Sequence, residues 1–407
     1  MPSPSSPLRP PQDASALEVL RIFLRLGLSS FGGPVAHLGY FRTEFVERRR
    51  WLDDHAYADL VALCQFLPGP ASSQVGMALG LQRAGWAGAL AAWIGFTLPS
   101  ALALTLLAMG LARWESLGAS GVVQGLKIVA VAVVAQALWG MSRSLCPDRP
   151  RAGIALAAAL LALLVPGSAG QLTAIALGAV AGWRLLGAPT APPGAALACP
   201  VSRRAGTTLL LIFGALLVGL PMTASLVDLP WLQAVAVFYQ AGSLVFGGGH
   251  VVLPLLQAGV VPPGWVDEAS FLAGYGAAQA VPGPLFTLAA FLGASMVGPP
   301  GGWTGALSML LAIFIPAFLL VAGALPWWEA LRRHATVLRA LGGIHAAVVG
   351  LLGAAFYDPV FTSAIHTPTD LALALGAFGL LVVGRLSPLW VVLLTAGIGG
   401  LRSIIGG

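Results

Sequence analysis

Charge is what this chain lacks. Only 9% of its 407 residues are Asp, Glu, Lys or Arg, against about 25% in a soluble globular protein. Hydrophobic residues make up 57%, and the mean hydropathy is +0.87. No water-soluble packing hides so much apolar surface behind so few charges, so the expectation is an all-α polytopic membrane protein in contact with the lipid bilayer. Cysteine is almost missing. Cys64, Cys146 and Cys199 are the three present; they share no metal or redox spacing and read as free thiols. The GxxxxGK[ST] phosphate loop is absent, so no ATP-driven pump is written here. Asp53-Asp54-His55 has no second acidic cluster to complete a metal site. These absences argue against an enzyme and imply no cofactor. Residues 1–15 lack the order of a cleaved signal peptide and read as a disordered cytoplasmic tail. The net charge is +6, but the arginines lie between apolar runs and form no basic patch interleaved with aromatics, so nucleic acid is not the expected partner.

Glycine (52) and proline (30) are abundant, as in membrane helices that bend or break. Their placement reveals a repeat. Phe31-Gly32-Gly33-Pro34, Trp51-Leu52-Asp53-Asp54 and Gln65-Phe66-Leu67-Pro68-Gly69-Pro70 return as Phe246-Gly247-Gly248-Gly249, Trp265-Val266-Asp267-Glu268 and Gln279-Ala280-Val281-Pro282-Gly283-Pro284. The offset is 215 at the first group (246 minus 31) and 214 at the third (282 minus 68). Gly85-Trp86 and Pro99 return as Gly302-Trp303 and Pro316, at offset 217 (316 minus 99). The expected organisation is a tail over 1–15, a first repeat over 16–187, a cytoplasmic linker over 188–206, and a second repeat over 207–407. The second repeat opens with an extra span at 207–226. Each repeat holds two broken apolar segments (16–50 and 57–82; 231–260 and 269–297). Four spans follow in each: 85–112, 120–142, 152–166 and 169–187; then 301–325, 338–357, 370–384 and 388–405.

Loop charge sets orientation. Arg143, Arg149, Arg151, Arg184, Arg203, Arg204, Arg332, Arg333, Arg339 and Arg385 are expected in the cytoplasm, and Asp228, Asp267, Glu268 and Asp358 outside. Arg48-Arg49-Arg50 then belongs inside, beside the N-terminus. That holds if each broken segment is a re-entrant hairpin rather than a full crossing. The extra span flips the second half, so the halves are inverted, the construction of secondary transporters.

A half-helix starting at a Gly or Pro break presents unpaired N–H groups and roughly +0.5 of dipole charge, with glycine allowing close approach. Such an end binds anions without a basic side chain. The candidate site residues are Ser29, Ser30, Gly32, Gly33, Gly69, Ser72, Ser73 and Gln74 in the first repeat. Gly247, Gly248, Gly283 and Thr287 answer them in the second. The first repeat carries more hydroxyls and is the expected polar wall. Gln65 and Gln279, matched just before each Pro-Gly-Pro, either satisfy freed backbone or touch the anion. Lys127, inside an apolar run, is functional or snorkels to an interface. Arg25 completes the pocket or anchors the interface. His37, His250 and His345 read as packed, hydrogen-bonded residues. The bland alternative is that Gly and Pro mark only close packing or kinks; four breaks in two matched pairs weigh against it.

The stretches Phe31–Arg42, Tyr57–Gln74, Val245–His250 and Gly274–Pro284 resemble the chromate ion transporter family in its long, two-domain form. The resemblance covers about residues 16–360. It implies a bacterial inner-membrane protein of two oppositely oriented halves that exports chromate and confers chromate resistance. Sulfate, of the same charge and shape, is the alternative substrate. The residues alone say a small tetrahedral oxyanion.

Overall fold

The computed structural model describes residues 15–114, 120–165, 167–187, 199–227, 229–298, 300–331 and 334–405. Residues 1–14 of the expected tail, linker residues 188–198, Asp228, Arg332 and Arg333 lie outside the described residues. Among the described residues every regular element is a helix.

The first repeat runs α1 (Ala16–Ser29), α2 (Gly33–Arg42, continued by a wide π turn to Arg48), α3 (Asp54–Phe66), α4 (Ala71–Trp114), α5 (Ser120–Leu145), α6 (Arg149–Leu164) and α7 (Ser168–Leu185). The extra helix α8 (Arg203–Leu226) follows. The second repeat then runs α9 (Pro230–Leu244), α10 (Val252–Val260), α11 (Glu268–Ala278), α12 (Leu288–Ser295) and α13 (Gly302–Ala324). It closes with the short α14 (Trp328–Leu331), α15 (Ala335–Ala355), the single turn α16 (Thr362–Ala364), α17 (Pro368–Val382) and α18 (Pro388–Ile405). Among the described residues, five stretches are long and apolar enough to cross a membrane: Ala71–Leu111, Gly121–Leu145, Arg203–Leu226, Gly302–Leu331 and Ala335–Ala364.

The broken segments are re-entrant. Serine at position 15 caps α1 by accepting from the Glu18 N–H, and Val19, Ile22, Phe23 and Leu26 give the helix one buried apolar stripe. The chain breaks at Gly32 (φ 100°) and Gly33 (φ 79°), then runs back along α1. Phe23 stacks on Phe45 at 5.1 Å, and Arg49 reaches Glu18 at 3.5 Å, at the start of α1. The second hairpin behaves alike: Arg83, far along α4 from the Pro-Gly-Pro tip, lies 4.7 Å over Trp51, before the start of α3. In the second repeat Gly259 abuts Val237 across one hairpin, and the Val297 N–H donates to Trp265 O across the other. The repeated Trp-x-Asp motif is a helix cap: Asp53 accepts from the Ala56 N–H (2.8 Å) and Asp267 from the Ser270 N–H (2.9 Å).

The second limb of the expected broken segment 57–82 and the expected span 85–112 form one helix, α4, by hydrogen bonding, but it folds at Ala84 and Gly85 (φ 61°). Gly80 and Gly88 then meet backbone to backbone, so any Cβ on either would collide at about 2.2 Å. Gly293 and Gly305 make the same contact between α12 and α13. Small residues allow this approach of two limbs without a hydrophobic driving force.

The halves are inverted. Trp86 pairs with Phe318 (6.0 Å) and Trp93 with Phe314 (5.6 Å), so residues 86–114 and α13 run antiparallel. One face of the molecule therefore gathers Arg49, Arg83, Arg143, Arg149, Arg151, Arg184, Arg203 and Arg339. Arg203 there stacks on Trp327 at 5.2 Å, and Gly182 packs on the Arg339 carbonyl. Asp267, Glu268, Asp358 and Asp370 lie at the other face, where Arg402 pairs with Asp370 at 3.1 Å.

Candidate functional site

The hairpin tips of the two halves meet inside the protein and are joined by two reciprocal hydrogen bonds. The Gly69 N–H donates to the Val245 carbonyl at 2.7 Å, and the Gly283 N–H donates to the Ser30 carbonyl at 3.0 Å. Ser30 and Val245 are equivalent positions of the repeat, as are Gly69 and Gly283. Each Pro-Gly-Pro tip thus hooks onto the Phe-Gly-Gly break of the opposite half. Both glycines have φ above +100° (114° and 107°), a conformation other residues adopt only with strain. Both also sit against the helix that follows in the partner half: Gly283 against Ser100 and the Phe96 carbonyl, Gly69 against Ala317. Ser100 and Ala317 are again equivalent (offset 217).

The pairing is symmetric in backbone and asymmetric in chemistry. The first repeat surrounds it with buried polar groups: Ser30 (0% exposed), His37 (1%), Ser72 (2%), Ser73 (3%), Gln74 (0%), Thr97 (1%) and Ser100 (1%). His37 Nδ1 lies 3.4 Å from Ser72 Oγ, and its ring meets Phe96 edge-on at 5.2 Å. The Gln74 amide donates to the Pro68 carbonyl at 2.8 Å and braces the tip. Ser30 Oγ, His37 Nε2, Ser73 Oγ, Gln74 Oε1, Thr97 Oγ1 and Gln279 Nε2 are buried without a hydrogen-bond partner. Buried polar groups ordinarily have one, and each exception calls for an explanation. All six lie on the elements that form the tip contacts, and with the open first-turn N–H groups of α4 they give the tips a polar surround. Hydroxyls and N–H groups supply hydrogen-bond donors.

The expected residues divide into three groups. Ser30, Gly69, Ser72, Ser73, Gln74, Gln279 and Gly283 are brought together at the tips. Gly32, Gly33 and Thr287 lie in the breaks but contribute differently. Gly32 is exposed, Gly33 has open space where a side chain would stand, and the Thr287 hydroxyl donates to the Pro284 carbonyl at 2.7 Å. Gly247 and Gly248 face Met141 of α5. The rest lie apart. Arg25, Ser29 and Gln65 are exposed, and the Ser29 hydroxyl donates to the Arg25 carbonyl at 2.8 Å. On the 14-residue α1, with its one buried stripe, Arg25 and Ser29 fall on the outer side, and Gln65 lies on the exposed side of α3. Lys127 is half-buried on α5, in the electrostatic reach of Glu268, Asp267 and Asp370 towards the acid-bearing face. Thr97 and Ser100 were not anticipated. Their signal was Pro99, matched to Pro316: both flank the repeated proline, on the turn of helix where the opposite tip lands.

His250 forms a 2.7 Å hydrogen bond with the Tyr275 hydroxyl, the packed role expected of it; His345 Nε2 is buried without a partner. Among the described residues no group of three His, Cys, Asp or Glu side chains is placed to hold a metal ion.

Inverted helical repeats whose broken limbs meet at depth define a multi-pass membrane protein of the secondary-transporter architecture. The chromate transporter family model matches residues 17–183 and 232–401, once in each half, and the chain belongs to that family. It is 28% identical over 411 residues to a chromate transport protein of Pseudomonas aeruginosa, covering 96% of this chain and 93% of that one. It is also 28% identical over 369 residues to a chromate transport protein of Cupriavidus metallidurans, covering 90% and 87%. A probable chromate transport protein of Synechococcus elongatus is 26% identical, covering 95% of both. No solved structure matches the chain.

Proposed function

We propose that this protein is a secondary transporter that carries chromate out of the cytoplasm across the bacterial inner membrane, and so confers chromate resistance. The observation that carries the reading is the pair of reciprocal tip hydrogen bonds, Gly69 to Val245 and Gly283 to Ser30, ringed by unpartnered polar atoms. The anion would sit beside Ser30, Ser72, Ser73 and Thr97, held by hydroxyls and by the first N–H groups of α4. The positive-inside rule places the arginine-rich face in the cytoplasm. Movement of one half against the other would break one set of tip contacts and expose the site to either side in turn.

No coupling ion is required for export of a dianion. An inside-negative potential favours it by about 2.3 kcal/mol per charge per 100 mV. Hydroxyls and N–H groups answer to negative charge and tetrahedral shape, which chromate and sulfate share, so sulfate or a related oxyanion is the second reading. The test is radiolabelled chromate flux into inverted membrane vesicles, with and without excess sulfate. Saturable uptake blocked by sulfate supports one oxyanion site; uptake indifferent to sulfate narrows the substrate to chromate. No uptake by correctly inserted protein removes the chromate assignment.

A further inference from the structure

A wide, open cavity of about 530 Å³ lies between α5, α6 and α15, beside the arginine-rich ends of α5 and α6, lined by Ser142, Arg143, Cys146, Ala152 and Val349 among others. Its inner wall is the back of the second repeat's tip contacts. Ser142 and Cys146 line the cavity, while their neighbours Met141 and Leu145 on the same helix press on Gly247. Val349 lines it too, and one turn earlier His345 faces Gly247. A Cβ on Gly247 would meet Leu145 Cδ1 at 3.0 Å, Met141 Cε at 3.6 Å and the His345 ring at 3.9 Å. These side chains, with Phe246 at 6.3 Å from the His345 ring, pack around the helix break on the side of the cavity-lining residues Ser142, Cys146 and Val349. Methionine and leucine change rotamer at low cost.

The cavity is also electrically suited to anions. Arg143 lines it and is exposed, with its guanidinium held over Trp139 at 5.7 Å. Arg151, next to the lining residue Ala152, is ion-paired with Asp148. A charge at the mouth of a cleft with low-dielectric walls raises the local concentration of its counter-ion.

We propose that this cavity is the cytoplasmic entry port for the transported oxyanion, with Arg143 as collector and Met141 and Leu145 as the gate over Gly247. The proposal rests on the transport reading and adds the route, which the tip contacts alone do not assign.

The native thiol Cys146 makes the port testable. Cys64 is fully buried, so a Cys199→Ser protein leaves Cys146 as the accessible thiol of the three. Burial pushes the Cys146 thiol above its ordinary value, so labelling is run at alkaline pH. In inverted vesicles, where the cytoplasmic face is outward, a bulky membrane-impermeant thiol reagent should cut chromate uptake at least fivefold. Cys146→Ser should remove the effect, and Ser142→Cys in that background should restore it. Arg143→Gln should raise KM for chromate about tenfold at low ionic strength with Vmax unchanged, and the difference should shrink in high salt. Normal uptake by protein shown to be fully labelled at Cys146 and at Ser142→Cys would overturn the port and leave the transport reading standing. No uptake by the unlabelled protein would overturn both.

Discussion

Alanine at Gly69 or Gly283 is the sharpest test of the paired tips. Neither substitution removes a functional group; each adds one methyl where the backbone has φ near +110°. At Gly283 the new Cβ would stand 2.9 Å from Ser100 Oγ and 3.1 Å from the Phe96 carbonyl. At Gly69 it would stand 3.0 Å from Gln74 Nε2 and 3.4 Å from the Ala317 methyl. Backbone strain of this kind costs about 1–3 kcal/mol. Displacing the tip also forfeits one hydrogen bond, at about 0.5–1.5 kcal/mol net. A penalty near 2 kcal/mol shifts an equilibrium about thirtyfold. Chromate uptake by either variant, normalised to inserted protein, should fall at least tenfold. Gly283→Ala should be the more severe, because a backbone carbonyl cannot move aside as the Gln74 side chain can. Gly33→Ala, with strained φ but open space, should be milder. Gly110→Ala, helical and in open space, should leave uptake unchanged. Wild-type uptake by both Gly69→Ala and Gly283→Ala would refute the idea that the tip contacts matter to transport.

Ser30→Ala and Ser73→Ala remove buried hydroxyls that have no protein partner; each should raise KM for chromate by about ten- to hundredfold, from loss of a hydrogen bond to a charged group, while thermal stability holds. A structural hydroxyl would show the reverse, lower stability with KM unchanged. Asp54→Asn disrupts only an exposed ion pair with Arg42, and uptake should stay within about twofold because such pairs contribute about 0–1 kcal/mol; abolished activity would favour a metal-assisted enzyme instead. Trp51→Cys should be labelled only from the cytoplasm and Trp265→Cys only from outside. Labelling of both from one side would contradict the inversion.

Much of the fold was legible because the repeat is written in residues with backbone consequences. Gly32, Gly33, Gly69 and their second-half partners sit where φ is positive, and the repeated aspartates cap helices. The loop arginines, with Arg49 returning to Glu18, decided for re-entrant hairpins over full crossings. What one sequence does not carry is which break meets which. Charge and periodicity say that four breaks enter the membrane; packing decides that each Pro-Gly-Pro tip hooks the opposite half. Helix facing was equally hidden on so short and apolar a helix as α1. Arg25 and Ser29 are one turn apart and look like site residues by position along the chain. Rotation about the axis turns them out while Ser30, one residue on, is fully buried. Thr97 and Ser100 escaped notice because their helix carries them within an unbroken apolar run, and only the landing point of Gly283 gives them a role.

The claim at the centre is that a tetrahedral oxyanion binds where the two halves' tips cross. Chromium scatters anomalously, so diffraction from protein crystals soaked in chromate locates the ion directly. The account predicts one dominant chromium peak within hydrogen-bonding reach of Ser30, Ser72 or Ser73 and the start of α4, displaced by excess sulfate. A dominant peak elsewhere, with the tip region empty at saturating chromate, would contradict it.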